Sequence, residues 1–122
     1  MGQSGSYTIN VAGVVATSGG AILGVVNPEG ADLLVECVLH TKVGATGSAN
    51  VDVGANVANA TTASDNLIDG QAVDDAGVIC SGTGSNGKRA VLWESGKYLT
   101  ITGSADSSGF SGTLHLDWKR VA

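Results

Sequence analysis

A chain of 122 residues with 43% hydrophobic side chains has material for one small packed domain, which excludes wholesale disorder. Only 14% of residues are charged, and 11 acidic against 6 basic side chains give a net charge of −5, so there is no basic footprint for gripping phosphate backbones and no nucleic acid is expected as a partner. No stretch approaches the roughly 18 consecutive apolar residues of a membrane span, because Asp32 and Glu36 interrupt the longest run, so no membrane partner is expected.

Taken in chain order, residues 1–6 are small and polar rather than basic and then apolar, so they read as a flexible N-terminal arm and not as a secretory signal, and residues 7–122 read as the single domain. Their Met-Gly-x-x-x-Ser pattern matches an acylation motif, a match that a Gly/Ser-rich arm produces cheaply. Apolar residues then fall in short runs separated by Gly, Ser, Asn and Asp, which predicts strands over 7–15, 21–26, 33–41, 48–57, 76–80, 89–93, 98–102 and 113–121. In two of them the alternation is explicit: Val51, Val53 and Ala55 against Asn50, Asp52 and Asn56, and Leu114, Leu116 and Trp118 against His115, Asp117 and Lys119. Turns are predicted at 27–30, where Pro28 presets its own φ and Gly30 closes, and at 85–87 and 94–97. A single helical turn or two is predicted at 64–68, with Ser64 or Asp65 as cap and Asp69-Gly70 as stop. About eight short strands in one domain predict an all-β fold, an antiparallel two-sheet sandwich of jelly-roll type.

Reactive constellations are sparse. The run Gly82-Thr83-Gly84-Ser85-Asn86-Gly87-Lys88-Arg89 has a phosphate-loop spacing, but such a loop needs a helix next, and 89–93 reads as a strand. Cys37 and Cys80 read as reduced residues in or near the core, with a disulfide as the alternative. Cys37 and His40, three apart on one strand, point to opposite faces and make a poor nucleophile pair. Asp65, Asp69, Asp74 and Asp75 with Asn66 form the densest acidic cluster, a solvated loop or a calcium site, without the spacing of a calcium loop. Trp93, Trp118, Tyr7 and Tyr98 either fill the core or form a sugar-stacking platform. No catalytic residue, metal ligand or cofactor is assigned, and the chain is expected not to be an enzyme.

Four segments carry a resemblance: residues 21–30 (AILGVVNPEG), 51–54 (VDVG), 64–70 (SDNLIDG) and 93–101 (WESGKYLTI). In that order they resemble the capsid decoration, or cement, and head-fibre proteins of tailed bacteriophages. The resemblance implies a jelly-roll-like fold, a place on the virion after synthesis in the host bacterial cytoplasm, self-association commonly as trimers, and the major capsid protein as partner. It brings no catalytic residues. The chain departs from the family pattern at 78–81 (VICS), which leaves the loop 82–87 without a borrowed role. On this reading the arm and the first strand order on the capsid as an added strand, with Gln3, Ser4, Tyr7, Thr8, Ile9 and Asn10 as the capsid-binding candidates. The alternative expectation is a carbohydrate- or receptor-binding module of a phage fibre, with a host glycan stacked on Trp93, Tyr98 or Trp118.

Overall fold

The computed structural model describes residues 4–121. Nine strands, β1 (Ser4–Ala12), β2 (Gly20–Val26), β3 (Leu33–Val43), β4 (Asn50–Val57), β5 (Ile68–Ala72), β6 (Gly77–Cys80), β7 (Val91–Trp93), β8 (Tyr98–Gly103) and β9 (Ser111–Arg120), form two sheets. The first runs β1-β9-β3-β6, with β7 also paired to β3, and the second runs β2-β8-β4-β5. Every strand pairing is antiparallel. The chain crosses between sheets at every connection except β4 to β5 and β6 to β7, which is the winding of a jelly roll.

The core follows from the alternation read in the sequence. Leu33, Val35, Cys37 and Leu39 of β3 and Leu114, Leu116 and Trp118 of β9 turn inward from the first sheet. They meet Val51, Val53 and Ala55 of β4 and Leu99 and Ile101 of β8 from the second. Trp93, with no exposed surface, and Phe110 fill the remaining volume.

Two expectations fail. The first concerns 64–68, since there is no helix among the described residues and Ile68 instead opens β5 opposite Val53. Residues 58–66, a turn at 58–61 followed by irregular chain, form a strap across the outer face of the second sheet. Beneath it lies one row of small residues, Gly24, Thr100 and Gly54, adjacent on β2, β8 and β4. A β-carbon at Gly24 would sit 2.3 Å from the Ala60 carbonyl oxygen, and one at Gly54 would sit 2.1 Å from Ser64 Oγ. Between them the buried Thr100 hydroxyl donates to the Thr62 carbonyl at 2.7 Å. Asn66 then imitates a strand residue, taking the Ala55 N–H on its Oδ1 and donating from Nδ2 to the Ala55 carbonyl. These long-range bonds replace the local ones of a helical turn.

The second concerns the arm. Strand β1 begins at Ser4, so Ser4, Gly5 and Ser6 are paired with Lys119, Trp118 and Asp117 rather than free of the domain. Gly5 explains the start: a β-carbon there would lie 2.8 Å from the Trp118 ring, so the glycine lets the indole lie against the β1 backbone. Residues 1–3, with the candidate Gln3, fall outside the described residues.

Candidate functional site

The acidic cluster is divided by the fold. Asn86 bridges Asp65 and Asp69, its backbone N–H donating to Asp69 Oδ2 and its side-chain amide to Asp65 Oδ2, each at 3.0 Å. Asp74 and Asp75 lie apart on an exposed turn before β6. The third carboxylate near the Asn86 bridge is Asp52 of β4, which sequence reasoning had placed only as an outward strand residue. It accepts the Gly70 N–H at 2.7 Å. Among the described residues no three His, Cys, Asp or Glu side chains converge as metal ligands would.

Partial burial pushes the Asp52 carboxyl above its usual value, and repulsion from Asp65 and Asp69 adds to this against the lowering effect of the Gly70 N–H. The folded chain therefore holds this proton more tightly than the unfolded chain does. The associated stabilisation is complete below about pH 4 and is lost as the pH rises through the folded value. Asp52→Asn keeps an acceptor for Gly70 and removes the charge. Thermal unfolding should show the variant more stable than the parent at neutral pH, with the gap closing on acidification below the usual aspartate range. A gap independent of pH would contradict this electrostatic account.

Cysteine and histidine do not combine. Both cysteines are free; Cys37 points into the core, where burial pushes its thiol up to about 12, while Cys80 is exposed at the end of β6 rather than near the core. His40 and His115 lie on the outer face of the first sheet, opposite Thr113 and Val38 respectively. The two ring nitrogens of His115 contact the Thr8 and Thr113 hydroxyls at 3.2 and 3.0 Å. The glycine loop 82–89 leads to β7, with no helix to present N–H groups to an anion.

The aromatic residues serve packing. Trp93 Nε1 donates to the Lys97 carbonyl at 2.9 Å and Trp118 Nε1 to Glu29 Oε2 at 3.2 Å, with both indoles buried. The stacking platform expected of a sugar-binding module is not formed by either tryptophan. Tyr7 is the aromatic that stands out, 49% exposed on β1.

The remaining candidates, Ser4, Tyr7, Thr8, Ile9 and Asn10, are brought together by β1, an edge strand paired on one side to β9. The register places Gly5, Tyr7, Ile9 and Val11 opposite Trp118, Leu116, Leu114 and Gly112, hence on the inward face, and Ser4, Ser6, Thr8 and Asn10 on the outward face. Beside it on the same flank lies β2, the edge of the second sheet. No Asp, Glu, Lys, Arg or His occurs before Glu29, so β1, β2 and the loop between them carry no charged side chain. Tyr7, Val15 and Val26 are exposed along this flank. The absence of charge is visible in the sequence, but that it occupies both sheet edges of one side is not.

A cleft of about 680 Å³ borders the outward face of β1 and was missed by sequence reasoning. Glu36 and Asp117 face each other directly across β3 and β9 there, a like-charge pair eased by Arg89 Nε at 3.8 Å from Glu36. The groups are too exposed for this ion pair to add much stability.

No protein-family model matches the chain, and no curated protein matches it. Among solved structures, one described under "Bacillus endospore appendages form a novel family of disulfide-linked pili" is similar at a TM-score of 0.47 with 14% sequence identity, covering 98% of this chain and 87% of that one.

Proposed function

We propose that the chain is a non-catalytic structural protein of a phage particle, bound to the outer surface of the capsid as a decoration or cement protein. The observation that carries this reading is the uncharged flank of β1 and β2, an open edge suited to strand addition on another protein surface. The particle itself is supplied by the four-segment resemblance to decoration and head-fibre proteins. A tightly wound sandwich gives the rigidity such a role needs, and a net charge of −5 keeps the free protein soluble. Tyr7 and Ile9 on the inward face, with Ser4, Thr8 and Asn10 on the outward face, are the residues in contact, with Gln3, outside the described residues, as the remaining candidate.

The test is co-sedimentation with tailed-phage heads assembled without the chain. The parent protein should saturate the heads. A Ser6→Lys, Asn10→Lys variant puts charge on the edge without disturbing buried groups and should bind about tenfold more weakly, equivalent to ~1.4 kcal/mol. Absence of binding by the parent would overturn the capsid reading, and equal binding by the variant would remove β1 from it.

A further inference from the structure

We propose that in the free protein the β1 edge is covered by β1 of a second copy, antiparallel about a two-fold axis at Thr8, giving a C2 dimer with a continuous first sheet. This rests on the reading above that the flank is a docking surface, and it names what covers that surface before the particle does. Three observations carry it.

The first is a contrast between edges. Natural sheets blunt their edges by shortness, charge, Pro or bulges. On the far flank β6 has four residues, β7 three and β5 five, with a register shift between β5 and β4 and Asp69 within β5. On the near flank β2 is shifted against β8 between Ala21 and Leu23. Strand β1 has none of these protections: nine residues pair with β9 in unbroken register, without charge or Pro.

The second is electrostatic. Two copies that each carry −5 repel one another over most orientations. The side built from residues before Glu29 is a side where no charge meets charge, so like copies can approach on it.

The third is side-chain self-complementarity. A two-fold axis at Thr8 places Thr8 opposite itself, Tyr7 opposite Ile9, Ser6 opposite Asn10 and Gly5 opposite Val11. Each pair matches in face and in polarity, because the inward set is Gly5, Tyr7, Ile9 and Val11 and the outward set is Ser6, Thr8 and Asn10. An aromatic residue against a β-branched one, and threonine against threonine, are stabilising cross-strand pairs. The contact is isologous and closes at two copies, so it caps the edge instead of propagating a fibre. Capsid docking through β1 then requires the dimer to separate.

Sedimentation equilibrium of the full chain without heads should give twice the 12.0 kDa chain mass, and Thr8→Lys, which sets two ammonium groups face to face at the axis, should give the single-chain mass with an unchanged circular dichroism spectrum. In a Cys80→Ser background, copper-catalysed oxidation should link Thr8→Cys copies covalently, since directly opposed strand residues lie within disulfide reach. Asn10→Cys should not cross-link, because it faces Ser6. A monomeric or trimeric parent, or equal cross-linking at both positions, would overturn the dimer. A monomer whose head binding is still weakened by Ser6→Lys, Asn10→Lys would sink this inference alone. A dimer that fails to bind heads would sink the capsid reading alone.

Discussion

Gly54→Val should destabilise the protein by about 3 kcal/mol, lowering its Tm by about 10 °C. A β-carbon at this position already comes 2.1 Å from Ser64 Oγ, 2.4 Å from Ser64 Cβ and 2.6 Å from its backbone carbonyl carbon. The strap has to lift, and it cannot lift locally. The Thr100 hydroxyl, fully buried, then loses the Thr62 carbonyl, and the Asn66 amide loses its two bonds to Ala55. Leaving such groups unsatisfied costs about 1–3 kcal/mol each when water does not reach them, so the lifted state admits water and exposes 58–66. Limited proteolysis should cut the variant within the strap while the parent resists. Gly24→Val should act in the same direction through Ala60. A Gly54→Val protein with an unchanged Tm and an uncut strap would show that the row of small residues does not seat it.

The second large effect is expected at Asn27. This buried side chain ties the turn after β2 to the turn after β7. Its Nδ2 donates to the Ala31 carbonyl at 2.9 Å and to the Trp93 carbonyl at 2.8 Å, while its Oδ1 accepts the Glu29 N–H at 2.9 Å. Its own N–H donates to the Lys97 carbonyl, which also accepts from Trp93 Nε1. Asn27→Ala should cost about 2–3 kcal/mol, because the buried Trp93 carbonyl loses its partner together with the part-buried Ala31 carbonyl and Glu29 N–H. Asn27→Asp is the sharper probe. It preserves shape but turns a carboxylate oxygen toward two carbonyl oxygens, so it should cost more than Asn27→Ala at neutral pH and recover in part on acidification, when a protonated carboxyl can donate. Equilibrium denaturation at two pH values measures this, with Trp93 fluorescence reporting the corner. If Asn27→Asp is no worse than Asn27→Ala at neutral pH, the two donor bonds are not what holds the turn.

Both predictions concern contacts that pattern reading could not supply. Strand alternation is local, with a period of two, so the inward sets of β4 and β9 could be read directly from Val51, Val53, Ala55 and from Leu114, Leu116, Trp118. The presence of a turn at Pro28 was legible for the same reason, since Pro28 and Gly30 bias their own backbone, but its ties to the Trp93 and Lys97 carbonyls were not. The segment 64–68 was not. Ser-Asp before Leu-Ile is a valid helix start in isolation, and what overrides it is the pairing of Ile68 with Val53 and the glycine row beneath the strap, which come from three other strands. The arm shows the same limit. Residues 4–6 have the composition of a loose tail, but a Trp 113 residues later supplies the surface that Gly5 fits.

The candidate site divides along that line too. Separation of Cys37 from His40 followed from strand geometry alone, whereas the association of Asp52 with Asp65 and Asp69, and the distance of Asp74 and Asp75 from them, depended on which loops the topology draws together. By itself the sequence determined the fold class, the inward faces of β4 and β9 and a charge-free first quarter of the chain, because these are properties of neighbouring residues. Only the tertiary structure decided that this first quarter forms both edges of one flank and that β1 is its long unprotected strand. Edges are defined by which strands lack a neighbour, and that depends on how all nine are ordered.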